Sequence, residues 1–231
     1  MIQTEFWTRI RYEIQRYDLL THPFYRAWTA GQLTPKEIGF YGIQYLHHIA
    51  AFPTYLTALH CRLPDGEKRR AILWNAADEE VHGVPHAELW KQFVGEMEPQ
   101  PSGTNQMLPE ILQLIESYRD LAKYAPLPTA LGAFYAYESQ VPRIAEEKLA
   151  GLNSFYGAGD AACEYFTLHA TADIHHTQIW QSLIDHCVWE DSACAEDVVK
   201  GVRSGAKALW HALDGIEAAR LRLNQGSGAK P

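Results

Sequence analysis

Hydrophobic residues recur at helical spacing along almost the whole chain, whereas alternating Val/Ile/Thr runs closed by Asn-Gly or Asp-Gly turns are missing. The pattern predicts an all-α protein. It places a first amphipathic helix at residues 4–20 and a short second one at 22–31, ending at Gly31. TPKE (34–37) has the form of a capping box, with Thr34 as N-cap, Pro35 at the first helical position and Glu37 reaching back. A long helix then runs to about Leu63, kinked at Pro53, and another spans 66–96, interrupted at Gly83 and Pro85. EPQPSGTNQMLP (98–109) is the one clear loop. Beyond it, helices are expected at 110–124, 128–151, 160–187 and 192–223, with FYGAG (155–159) as a turn. Residues 1–224 thus read as a single-domain bundle of seven or eight helices, followed by a disordered tail at 225–231.

Three of these helices carry polar residues on their apolar faces. In LHATADIHHTQIW (168–180), His169, Asp173 and His176 share a stripe with Tyr165, Trp180 and Leu183. In the 66–96 helix, Glu79 and His86 stand two turns apart among Ile72, Ala76, Gly83, Trp90 and Phe93. Glu138 lies on a face of Leu131, Phe134, Val141, Ala145 and Leu149. Carboxylates carried into a core must be neutralised by cations, protons or metal, and these faces offer His rather than Arg. Three imidazoles with three carboxylates are a ligand balance that two divalent first-row ions accept. His82 rivals His86, because Glu79-x-x-His82 also fits a ligand pair; the His86 stripe is the more apolar. A mononuclear site of His169, Asp173 and His176 is the next reading, and His47, His48, His60, His175, His186 and His211 read as hydrogen-bonded core residues.

Composition narrows the setting. The chain has 231 residues, 47% hydrophobic, and a formal net charge of −8, so the basic footprint of a nucleic-acid or anionic-lipid binder is missing. Four cysteines without CxxC pairs read as reduced thiols in a cytoplasm. Neither a signal peptide nor an apolar run long enough to span a membrane is visible. A homodimer is the default assembly.

HPFYRAW, YGIQYLHHIAAFP (41–53), DEEVHGVPH (78–86), FYAYESQVP (134–142) and YFTLHATADIHH (165–176) together resemble the CADD-like proteins of the haem-oxygenase-like, TenA/PqqC-type superfamily. The resemblance spans about residues 5–215. It implies a haem-oxygenase-like bundle with a dinuclear centre, Fe/Fe or Fe/Mn, held by Glu79, His86, Glu138, His169, Asp173 and His176. It also implies a self-sacrificing, O₂- and reductant-dependent oxygenase that makes 4-aminobenzoate for folate. By motif, Tyr25 matches the consumed tyrosine and Lys148 the nitrogen donor; the electron donor is unknown. By spacing alone, Lys148 lies on a stripe with Tyr137, Val141 and Ile144 and favours a lysine snorkelling at a helix flank, the alternative being a desolvated, nucleophilic amine. Tyr41, with Tyr45 and His48 on one face, is a candidate relay or pocket-lining residue. Two rival functions are a dimetal oxidase acting on an external amine, amino acid or fatty acid, and a non-catalytic partner-binding protein.

Overall fold

The computed structural model describes residues 2–98 and 106–227, and ten α-helices but no strand occur among them. They are α1 (Ile2–Arg16), α2 (Pro23–Thr29), α3 (Pro35–His60), α4 (Glu67–Glu80), α5 (His86–Met97), α6 (Pro109–Lys123), α7 (Leu127–Glu138), α8 (Val141–Gly151), α9 (Asp160–Glu190) and α10 (Cys194–Ser227). A 3-10 turn (Leu19–Thr21) precedes α2, and a π-helical turn (Leu152–Tyr156) follows α8.

The helix starts follow local chemistry. At α3 the capping box forms as expected: Glu37 N–H donates to Thr34 Oγ1 at 3.2 Å, and Thr34 N–H donates to Glu37 Oε2 at 2.7 Å. α3 continues through Pro53 to His60 as one helix. The expected 66–96 helix parts into α4 and α5 around Gly83, whose φ of +81° only glycine adopts readily. The FYGAG turn closes on Gly157, at φ +60°. The segment expected as one helix at 128–151 is two, α7 and α8, because Pro142 lacks the N–H that would bond the Glu138 carbonyl. Thr177 Oγ1 donates to that carbonyl instead, at 3.2 Å. These two breaks turn the seven or eight expected helices into ten. The loop at 98–109 lies mostly outside the described residues. α10 runs to Ser227, three residues into the segment expected as a tail, and residues 228–231 lie outside the described ones.

α9 packs on α5, α7 and α8, while α3 packs on α4, α5 and α6, and α10 on α1, α6 and α7. α7 and α10 approach so closely that a Cβ on Gly201 would stand 1.9 Å from the Thr129 carbonyl oxygen. Trp28, Trp90 and Trp180 are buried among them, in one aromatic-rich core. No helix among the described residues is long and apolar enough to cross a membrane.

Candidate metal centre and tyrosine–lysine pocket

The helix breaks bring the inward acids and imidazoles together. Glu79 sits in the last turn of α4, His86 opens α5, Glu138 ends α7, and α9 supplies His169, Asp173 and His176. All six are 7% exposed or less. They fall into two trios, Glu79/His86/His169 and Glu138/Asp173/His176, each with ligand-type atoms within 4.8 Å of one another. His82 is excluded from both: the turn between α4 and α5 leaves its side chain 44% exposed and hydrogen-bonded to Asp78.

In the first trio the atoms are arranged as ligands rather than as mutual partners. His86 Nδ1 is buried and has no hydrogen-bond partner although Glu79 Oε2 is 2.9 Å away, so both atoms face one point without satisfying each other. His169 Nδ1 is 2.7 Å from the Tyr165 carbonyl. A carbonyl only accepts, so Nδ1 carries the proton and Nε2 is left as the electron-pair donor. His176 Nδ1 stands 3.0 Å from Asp173 Oδ1 and 3.5 Å from Glu138 Oε2. Asn75 Nδ2 donates to both oxygens of Glu138, at 3.1 and 3.2 Å, and fixes that carboxylate.

The field here calls for positive charge. Burial, outweighing the attraction of His176, pushes Glu138 up to about 8. Burial pulls His176 down, but the hydrogen bond to Asp173, the charges of Glu138 and Asp173 and the hydrogen bond to Asp78 more than reverse it, to about 10. Carboxylates that hold a proton on a buried imidazole would hold a divalent cation by the same attraction. N and O donors, three carboxylates and three imidazoles, fit two first-row divalent ions.

A second cluster adjoins the first. Tyr25, Tyr41 and Lys148 are 3%, 0% and 5% exposed. The Tyr25 and Tyr41 hydroxyls are 3.0 Å apart, and Lys148 Nζ donates to the Tyr41 hydroxyl. The amine lies 4.8 Å from the Tyr25 ring centre and 4.7 Å from that of Tyr41, with Trp90 and Phe166 beyond. Lys148 therefore does not snorkel. The break at Ser139–Gln140 turns α8 so that its amine points into the core, where burial holds it well below the usual lysine range. A neutral amine is the nucleophilic form. Burial also raises both phenols, Tyr25 and Tyr41, above the ordinary tyrosine value, so they stay protonated.

Tyr137, Val141 and Tyr165 wall two small cavities at once. One, of about 30 Å³, is lined also by Tyr25, Tyr45 and Lys148; the other, of about 10 Å³, by Glu79, Glu138, His169 and Asp173. Tyr165 stacks on His169, ring centres 3.9 Å apart. Asn75, Asp78, Tyr137 and Tyr165 are site residues that the sequence reading did not single out. YESQVP held the signal for Tyr137, since Pro142 ends the helix at its neighbour Glu138. DEE, an acidic run of the solvated kind, hid Asp78.

A bundle holding clustered carboxylates and imidazoles defines a class, the helical metal-dependent redox enzymes. Residues 40–210 match a family described as iron-containing redox enzyme. The chain is 39% identical over 215 residues to the 4-aminobenzoate synthase of Nitrosomonas europaea, covering 88% of this chain and 87% of the relative. It is 32% identical over 203 residues to that of Chlamydia pneumoniae, covering 87% and 90%. A solved domain of unknown function with a heme oxygenase-like fold, from Shewanella denitrificans, superposes with a TM-score of 0.77 over 97% of this chain and 95% of its own, at 16% identity. The chain belongs to the CADD-like family of iron-containing redox enzymes, with the haem-oxygenase-like fold.

Proposed function

We propose that this protein makes 4-aminobenzoate from its own Tyr25 side chain, with nitrogen from Lys148. The two trios would hold the metal pair, Fe/Fe or Fe/Mn, and the pair, once bound, would supply O₂ activation with electrons from an external reductant. The remaining work falls to side chains of this chain. 4-Aminobenzoate is a ring with one attached carbon and a para nitrogen; a tyrosine ring with its Cβ supplies the carbons once the Cα–Cβ bond breaks. Cβ must be oxidised to the carboxyl carbon by O₂, and the nitrogen must replace the phenol oxygen, which leaves as water, with cleavage of the Lys148 Cε–Nζ bond. Lys148 Nζ reaches that end of Tyr25 through the Tyr41 hydroxyl. Tyr41 orients the amine and the phenol toward each other, and the rings around them exclude water.

One observation carries this reading: the space beside the metal ligands is filled by tyrosines and a lysine of the chain itself. The adjoining cavities, of about 30 and 10 Å³, are far below the roughly 300 Å³ from which small-molecule sites begin, so an external aromatic amine or fatty acid has no room there. The names of the curated relatives support the product.

The test is reaction of protein labelled with ¹⁵N only at lysine, under air with iron, manganese and a reductant. The product should carry ¹⁵N, and the intact mass should fall by one tyrosine side chain together with the change left by the lost Lys148 nitrogen. Product without label, or product from a chain of unchanged mass, would overturn the reading. Tyr25→Phe and Lys148→Met, which keep the packing, should each abolish the product while both stay folded.

A further inference from the structure

We propose that Asp78 is a positioning residue for the second trio: it holds the His176 imidazole by Nε2, so that Nδ1 serves the metal. The inference rests on the metal reading above. Asp78 lies beside Glu79 in the last turn of α4 and spans from the surface inward, its side chain 39% exposed. Oδ2 is 3.0 Å from His176 Nε2, and Oδ1 is 2.7 Å from His82 Nδ1. His176 is 3% exposed, His82 44%. The His82 ring in turn lies against Trp74, centres 5.3 Å apart.

A ligating imidazole needs its second N–H held, or the ring turns and the wrong tautomer can form. The two trios answer this differently. His169 gives its N–H to a backbone carbonyl, whereas His176 meets a carboxylate. A carboxylate accepts more strongly and raises the basicity of the ring, and its negative charge adds to that of Glu138 and Asp173. The second trio is thereby the more anionic of the two.

An exposed aspartate left to itself turns toward water. His82 prevents this by occupying the outer oxygen, and Trp74 packs against the His82 ring. The contact sequence Trp74, His82, Asp78, His176 runs from solvent to the buried ligands. A surface pair of Asp78 with His82 alone would contribute little and would leave His176 unheld.

The experiment is an anaerobic Mn²⁺ titration followed by the EPR signal of free ion. The wild type should bind two equivalents. Asp78→Asn should weaken one of them by about 10- to 100-fold and leave the other unchanged. In a His176→Ala background, Asp78→Asn should have no further effect, because its action runs through that ring. Asp78→Glu, which keeps the charge, should recover part of the loss if the asparagine variant folds poorly. Two unweakened equivalents in Asp78→Asn, or a loss that persists in full without His176, would overturn this proposal alone. Fewer than two equivalents in the wild type would overturn the metal reading and this proposal with it.

Discussion

His48 shows how strongly single residues are constrained in this core. It is 0% exposed, neither ring nitrogen has a hydrogen-bond partner, and Tyr45, Tyr55, Tyr118 and Tyr137 surround it with ring centres 5.2–5.9 Å away. Burial pushes it down to about 3 from 6.5. The unfolded chain therefore binds a proton that the folded chain refuses between those values. Stability from this residue is present above about 6.5 and lost as pH falls, with a slope of about 1.4 kcal/mol per pH unit at most. His48→Phe should remove the unsatisfied nitrogens, raise stability at pH 7 by about 1–3 kcal/mol, and flatten the acid limb. Urea midpoints at pH 7 and pH 5 check this; an unchanged pH dependence would assign the acid sensitivity to other groups. The clustering of the six acids and imidazoles was legible in sequence because polar residues at helical spacing on apolar faces must meet in the interior. Lys148 was not, since its direction depends on a helix break, and Asp78 was not, since one of its oxygens works at the surface.

At the scale of elements, periodicity located nearly every helix, and the capping box at Thr34 fixed the start of α3 to the residue. The breaks were harder to read. Gly83 and Pro85 announced the first, but the stripe of Phe134, Val141, Ala145 and Leu149 runs past Pro142, whose missing N–H leaves the Glu138 carbonyl to Thr177 and explains the second. Close packing of α7 on α10 was also invisible, because small residues in one helix say nothing about which partner they admit. Gly201→Ala tests that contact. Its Cβ would stand 1.9 Å from the Thr129 oxygen, so the helices must separate. The expected result is a loss of about 1–3 kcal/mol or more, read as a lower thermal midpoint with helix content kept. An unchanged midpoint would mean that α10 shifts freely.

The whole molecule has one interior serving two purposes, since the residues proposed to react are also residues that fill space. Tyr25 is 3% exposed and packs its ring near Phe24 and Tyr41. Removal of that ring leaves a hole among large aromatics and a glycine inside α2. Tyr25→Gly, which reproduces the reacted backbone, should lose about 3–5 kcal/mol to the hole and about 1 more to glycine in a helix. Against a typical total of about 5–15 kcal/mol, that leaves a chain near its melting threshold. Protease digestion of the protein before and after reaction measures the difference, and equal resistance would mean that the neighbouring rings close the gap. A molecule that has delivered its product would thus become fragile by the same event, and its degradation would return the remaining amino acids for synthesis of the next copy.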